Sequence, residues 1–169
     1  HAAGLPKGVF QLVAGSAGEI AAEFLENPLC RKITFTGSTE VGKKLIAGAA
    51  AQVKPLSLEL GGHSPVLVFD DADLAKAVEG TMIAKYRNTG QSCIAANRIY
   101  VQRGIAEQFI PAFVERVKAL KVGNGLEPGV DIGPLINSAA VDTALRHIAD
   151  AQSKGAQLLC GGKRHGEAG

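Results

Sequence analysis

A single cysteine, Cys93, lies in a stretch of small and polar residues that reads R-N-T-G-Q-S-C-I-A-A-N-R from Arg87 to Arg98. A patterned helix is predicted before it, at residues 73–85, and a β-branched and aromatic strand after it, from residue 98. Two such elements can fix a thiol in position. Cysteine attacks as the thiolate, and a free cysteine thiol has a pKa of about 8.5, so reaction at neutral pH needs a local donor field or a nearby base. The pattern predicts a nucleophile. A buried cysteine that packs as a small hydrophobic residue is the alternative interpretation.

Glu59 is the second residue with chemical potential, because it lies near the end of an apolar strand, L-E-L, directly before Gly61 and Gly62. Burial of a carboxylate raises its pKa toward the range in which a general base is effective. A carboxylate at such a strand end is costly unless it is solvated or used, so Glu59 is a candidate general base, and this interpretation depends on its pairing with Cys93. A glutamate of an edge strand that points to water is the alternative.

The segment I-T-F-T-G-S places Gly37 and Ser38 between a strand and a helix. Helix N-termini attract phosphate through their free N–H groups and the helix dipole. The spacing Gly37-x-x-x-x-Gly42-Lys43 is similar to a P-loop, but Lys44 stands where a Ser or Thr should contact Mg²⁺, so we reject a phosphoryl-transfer site. Ser38 could also serve only as the helix cap.

The order of apolar patterns predicts an α/β fold with a largely parallel sheet. Strands are predicted at residues 9–14, 32–36, 56–60, 66–69, 98–102 and 156–160. Helices are predicted at residues 17–27, from 37 to about 51, at 73–85, from 105 to 117, and at 139–153. Two strands follow each other without an intervening helix near Gly61 and Gly62, which suggests a domain boundary there.

The composition limits the classes of partner. The chain has 169 residues, 46% of them hydrophobic, and a formal net charge of +2 without a basic run, so neither nucleic acid nor an anionic membrane surface is expected. Three cysteines without C-x-x-C spacing favour a reducing compartment, and four scattered histidines predict no metal site. We expect a cytoplasmic protein. The chain opens without Met and closes on a polar loop, which suggests a fragment and leaves organellar targeting open.

Four ordered motifs closely resemble the aldehyde dehydrogenase superfamily: F-T-G-S-T-E-V-G from Phe35, L-E-L-G-G from Leu58, G-Q-S-C from Gly90 and D-I-G-P-L from Asp131. The stretch K-Y-R-N-T-G-Q-S-C-I-A-A-N-R, together with G-G-H at residues 61–63, is most similar to the succinate-semialdehyde dehydrogenase branch and its glutarate-semialdehyde relatives. The resemblance covers the whole chain. It implies an aldehyde-dehydrogenase-like fold with a three-layer, Rossmann-like parallel sheet, of which this chain is the central part.

The resemblance also implies catalytic roles. Cys93 would attack the aldehyde, its backbone N–H would be half of the oxyanion hole, and Glu59 would activate the water that hydrolyses the thioester. Arg87 would bind the distal carboxylate of a semialdehyde, although a surface arginine in a weak ion pair is the alternative.

Further implications concern the cofactor and the assembly. NAD or NADP would be the hydride acceptor, held by Gly37 and Ser38 at the pyrophosphate, Val41 at the adenine and the Leu60 backbone at the nicotinamide amide. Residues 1–61 would be the second half of the cofactor-binding domain and residues 62–169 the first part of the catalytic domain. A full-length homodimer or homotetramer is expected. This piece alone should be inactive and expose apolar surface. Another substrate preference, or a non-catalytic cofactor-binding role, remains the alternative.

Overall fold

Strands alternate with helices through most of the chain, and every strand pair is parallel, as the apolar pattern predicts. The computed structural model describes residues 3–165. Two units are formed, His1–Gly61 and Gly62–Gly169. The predicted sheet is present as two separate two-stranded pairs, one in each unit.

The first unit contains α1 (Ala17–Glu26), β1 (Ile33–Gly37), α2 (Thr39–Ala49), a short 3-10 helix (Ala50–Gln52) and β2 (Leu56–Leu60). Serine hydroxyls begin both α-helices, because Ser16 accepts from Glu19 N–H and Ser38 accepts from Val41 N–H. Strands β1 and β2 pair in register from Ile33 with Leu56 to Gly37 with Leu60.

A buried lysine fixes the end of α1 in this unit. Lys54 is 8% exposed, and its Nζ donates to the carbonyl oxygens of Phe24 and Asn27 at 2.7 Å each. The last carbonyl groups of a helix have no partner within the helix, and a cation there also interacts favourably with the helix dipole. Lys54 therefore ties the segment before β2 to the C-terminal end of α1.

The second unit contains β3 (Val66–Val68), α3 (Leu74–Tyr86), a 3-10 turn (Arg87–Gly90), β4 (Ile99–Val101), α4 (Arg103–Lys118) and α5 (Ser138–Ser153). Strands β3 and β4 are parallel neighbours with α3 between them in sequence. The core consists of one apolar cluster: Val68, Val78, Met82, Ile105 and Phe109. Helices α3 and α4 supply most of this cluster, because their buried apolar residues recur four positions apart and so share one face of each helix.

Two predicted strands are wrong. Residues 9–14 and 156–160 form no strand, since a strand requires a neighbouring backbone to share its hydrogen bonds and the described residues supply none for either segment. The predicted polar loop at residues 163–169 lies partly outside the described residues.

Large apolar side chains are exposed at many positions, as expected for this piece of chain. The most exposed are Leu126 at 93%, Leu12 at 88%, Leu29 and Val53 at 86%, and Ile136 at 82%. Large exposed apolar patches are rare on monomeric proteins and usually mark surfaces that other parts cover.

Phe109→Ala should lower the free energy of unfolding of the second unit by about 3–5 kcal/mol, because Phe109 is 2% exposed and its ring stacks on Phe113 at a centroid distance of 5.6 Å. Urea-induced unfolding measures the loss. Phe69→Ala is the matched control, since Phe69 is 58% exposed, and it should change the free energy by only about 0.5 kcal/mol. Equal losses in the two variants would contradict this assignment of the core.

Candidate active site

The loop that carries Cys93, residues 87–97, is called the cysteine loop below. It begins with three consecutive residues in the left-handed region, with φ of 54° at Asn88, 59° at Thr89 and 72° at Gly90. A Cβ at Gly90 would lie 3.0 Å from the Lys85 carbonyl oxygen, so the position requires glycine. A β-branched residue such as Thr89 is rarely found at positive φ, which costs of order 1–3 kcal/mol. Such a backbone persists only because its surroundings hold it.

Cys93 is exposed, whereas Cys30 and Cys160 are half-buried. The backbone turns back directly after it, where Ala95 N–H donates to the Ser92 carbonyl oxygen at 3.1 Å. The next residues enter the interior, since Ala95 is 3% and Ala96 is 1% exposed. The alternative interpretation of Cys93 as a buried hydrophobic residue is therefore wrong. The structure presents the thiol to solvent between two anchored segments.

The turn before β3 lies against the backbone of Cys93. A Cβ at Gly62 would be 3.2 Å from the Cys93 carbonyl oxygen, a distance tighter than most real contacts. The second glycine of L-E-L-G-G thus allows a close approach between two backbones of the second unit. Because Gly62 has no side chain, the Cys93 carbonyl group can occupy the space next to it.

Gln91 joins two of the sequence motifs, G-Q-S-C and D-I-G-P-L. Its Oε1 accepts from Ile136 N–H at 3.0 Å, and its Nε2 lies 3.5 Å from the Pro134 carbonyl oxygen. The loop that Gln91 contacts is closed by Asp131, whose carboxylate accepts from Lys121 N–H at 3.0 Å. Sequence reasoning assigned no role to Gln91. The only signal was the joint presence of the two motifs.

Arg87 lies at the C-terminal end of α3 and is exposed. It lines an open cleft of about 440 Å³ that also includes Ser92 and Ile94 of the cysteine loop. Within residues 3–165 none of the observed ion pairs includes Arg87, so the predicted alternative of a weak surface ion pair is not seen there. The guanidinium is available to a ligand in that cleft.

Glu59 is exposed in the first unit, while the other four residues of β2 are half-buried. This exposure agrees with the alternative of a glutamate that points to water, and the role of Glu59 as a general base stays a prediction. Glu59 pairs in register with Thr36 of β1. Cys93 belongs to the second unit.

The four residues predicted to hold the cofactor lie together in the first unit. Gly37 and Leu60 are register partners at the carboxyl ends of the two strands, and Ser38 begins α2. The Phe35 ring occupies the space where a Cβ of Gly37 would lie, at 2.3 Å. Val41 is 39% exposed in the first turn of α2. The Ser38 hydroxyl caps the helix at 3.2 Å, as its alternative predicts.

This set of groups fits a dinucleotide. The first turn of α2 offers free backbone N–H groups and the positive end of a helix dipole to a pyrophosphate. The exposed Val41 side chain offers an apolar contact to a flat ring. Gly42 brings α2 close to β2, since a Cβ there would lie 2.7 Å from a Leu60 methyl group.

Residues 3–165 contain no group of three or more His, Cys, Asp or Glu side chains that could hold a metal ion. No helix in the same range combines the length and apolar character needed to cross a membrane.

The chain resembles known proteins over its whole length. The family model described as "Aldehyde dehydrogenase family" matches residues 1–169. The glutarate-semialdehyde dehydrogenase of Pseudomonas aeruginosa is 56% identical over 163 residues, which are 96% of this chain and 34% of that protein. The NADP(+) succinate-semialdehyde dehydrogenase of Escherichia coli is 53% identical over 167 residues, 99% of this chain and 35% of that protein.

A solved structure gives the same result for the fold. The aldehyde dehydrogenase of Brucella melitensis biovar abortus is 56% identical and superposes with a TM-score of 0.96, over 99% of this chain and 35% of that one. The chain thus spans about a third of the length of the relatives that it matches. The resemblance of its motifs and the α/β fold predicted from them are confirmed, and the chain belongs to the aldehyde dehydrogenase family.

Proposed function

We propose that the full-length protein oxidises succinate semialdehyde to succinate with NAD or NADP. The observation that carries this proposal is the exposed thiol of Cys93 on an anchored loop whose adjoining cleft contains Arg87. Relatives named for succinate and glutarate semialdehyde support the substrate class. Glutarate semialdehyde is the second candidate, because the Pseudomonas aeruginosa protein named for it is 56% identical to this chain.

The two units would have different roles, one in cofactor binding and the other in catalysis. The first unit would be the second half of the cofactor-binding domain and the second unit the first part of the catalytic domain. Gly37, Ser38, Val41 and the Leu60 backbone would hold the dinucleotide, which when bound supplies the hydride acceptor. The assembly would be a homodimer or homotetramer, and this chain alone would be inactive because it spans only a third of its relatives' length.

Cys93 would attack the aldehyde carbon as a thiolate, and its own backbone N–H would donate to the oxygen that becomes negative. Loss of hydride from that carbon leaves a thioester on the cysteine. Glu59 would then take a proton from water, which attacks the thioester and releases the acid and the thiolate. One aldehyde, one water and one oxidised cofactor are consumed, and one acid, one reduced cofactor and one proton are formed.

Cys93→Ala in the full-length protein should reduce aldehyde oxidation by about 10³-fold or more, because the covalent step disappears. Cys30→Ala and Cys160→Ala are the matched controls and should retain turnover. Peptide mapping after iodoacetamide treatment should locate the inactivating label on Cys93. Normal turnover by Cys93→Ala would refute the mechanism.

Glu59→Gln should slow thioester hydrolysis by about 10²- to 10⁴-fold, the usual contribution of a general base. A burst of reduced cofactor should remain, followed by a slow steady state. Rapid quenching and intact-protein mass spectrometry should detect the acyl-enzyme. Loss of the burst itself, with no trapped acyl group, would assign Glu59 to the step before hydride transfer.

Arg87→Gln should raise KM for succinate semialdehyde by about 10- to 100-fold, because a hydrogen bond to a charged group contributes roughly 1.5–3 kcal/mol. Butanal lacks the distal carboxylate, so its kinetics should change little. Arg103→Gln is the control, since Arg103 is an exposed arginine at the start of α4. Equal losses with both aldehydes would mean that Arg87 supports the cysteine loop and does not bind substrate.

A further inference from the structure

The cysteine loop leaves and rejoins the same turn of one helix. At its start, α3 runs directly into the 3-10 turn Arg87–Gly90. At its end, Ala96 N–H donates to the Ala84 carbonyl oxygen at 3.0 Å. The two ends of the loop therefore meet at the last turn of α3. We call the place where Ala96 and Asn97 lie against Ala84 and Lys85 the neck of the loop, and Cys93 lies in the segment that the neck closes.

A side-chain bond closes the neck a second time. Lys85 Nζ donates to Asn97 Oδ1 at 2.7 Å. An ammonium group only donates, so this contact requires that the amide oxygen face Lys85 and that the amide nitrogen face the other way. Asn97 Nδ2 then donates to His63 Nδ1 at 3.1 Å, and Asn97 N–H donates to the His63 carbonyl oxygen at 3.2 Å.

The Lys85 side chain lies near the loop on both sides of the cysteine. It donates to Asn97 after Cys93, and before Cys93 a Cβ added at Gly90 would lie 3.5 Å from Lys85 Nζ, so the lack of a side chain there leaves space for the ammonium group. The lysine is half-buried, and this burial lowers its pKa. Among the described residues Lys85 takes part in none of the ion pairs, so the amide oxygen of Asn97 is the partner that the structure gives its ammonium.

We infer that Lys85 and Asn97 are positioning residues, which close the neck of the cysteine loop and hold Cys93 at the geometry for attack. This inference rests on the proposed role of Cys93. The left-handed residues 88–90 favour other loop conformations, and the neck keeps the loop from relaxing into them. A nucleophile displaced by about 1 Å can lose about 10²-fold in rate. Neither residue needs to touch the substrate for this effect.

The test compares Lys85→Met, Asn97→Ala and the double variant in the full-length protein. Each single variant should lower kcat/KM by about 10- to 100-fold. The loss should be the same for succinate semialdehyde and for butanal, because both react with Cys93. The double variant should lose no more than the worse single variant, since Asn97→Ala already removes the Lys85–Asn97 bond that Lys85→Met removes. Lys85→Arg, which can still donate to Asn97, should retain most of the activity.

A control and a second readout separate positioning from stability. Lys154→Met removes an exposed lysine that pairs with Asp150 and should leave kcat/KM and the melting temperature unchanged. The rate of Cys93 alkylation by iodoacetamide should change in Lys85→Met and Asn97→Ala. Should Asn97→Ala not fold, Asn97→Asp replaces it: it still accepts from Lys85, should be nearly normal alone and should lose activity when Lys85→Met is added.

Some results would overturn the inference. These are unchanged kcat/KM and alkylation rates in the two single variants, or losses that multiply in the double variant. A full-length wild-type protein that oxidises no aldehyde would refute the proposed function instead. The alkylation rates of the same variants would still decide whether the neck holds Cys93.

Discussion

The parallel pairing of β3 with β4 is the constraint on which the cysteine loop depends. Val66 N–H donates to the Arg98 carbonyl oxygen at 2.9 Å, and Gln102 N–H donates to the Val68 carbonyl oxygen at 2.8 Å. The pairing fixes where the chain must arrive after α3, while the buried face of α3 fixes where it departs. The cysteine loop connects these two fixed points, so its path is set by the core beneath it.

This arrangement explains how a loop can carry an exposed thiol although part of its backbone is strained. Residues 88–90 are left-handed in succession, and a free loop would relax from such a conformation. Here Ala95 and Ala96 are buried immediately after Cys93, and Gln91 is bonded to the backbone at Ile136. Because the flanking segments are held in place, Cys93 can remain accessible. Loops that carry chemistry commonly depend on a scaffold in this way.

Each of the two units carries candidate groups of a different kind. The first unit offers a strand end, a helix N-terminus and the exposed carboxylate of Glu59. The second offers a thiol and a guanidinium on one loop. In the described structure the carboxylate of Glu59 is exposed, and the proposed reaction would require its desolvation. Desolvation is the main way in which a protein raises the basicity of such a group.

Local sequence determined the helices and the chemical inventory, because side-chain period and capping residues act within a few positions along the chain. The order of apolar patterns predicted α3 and α4, Ser38 was a possible helix cap, and the stretch around Cys93 predicted a thiol held between two elements. Tertiary structure alone decided which apolar segments became strands, since a strand exists only with a paired neighbour. It also decided the exposure of Glu59 and the Lys85–Asn97 bond, which depend on the path of residues distant in sequence.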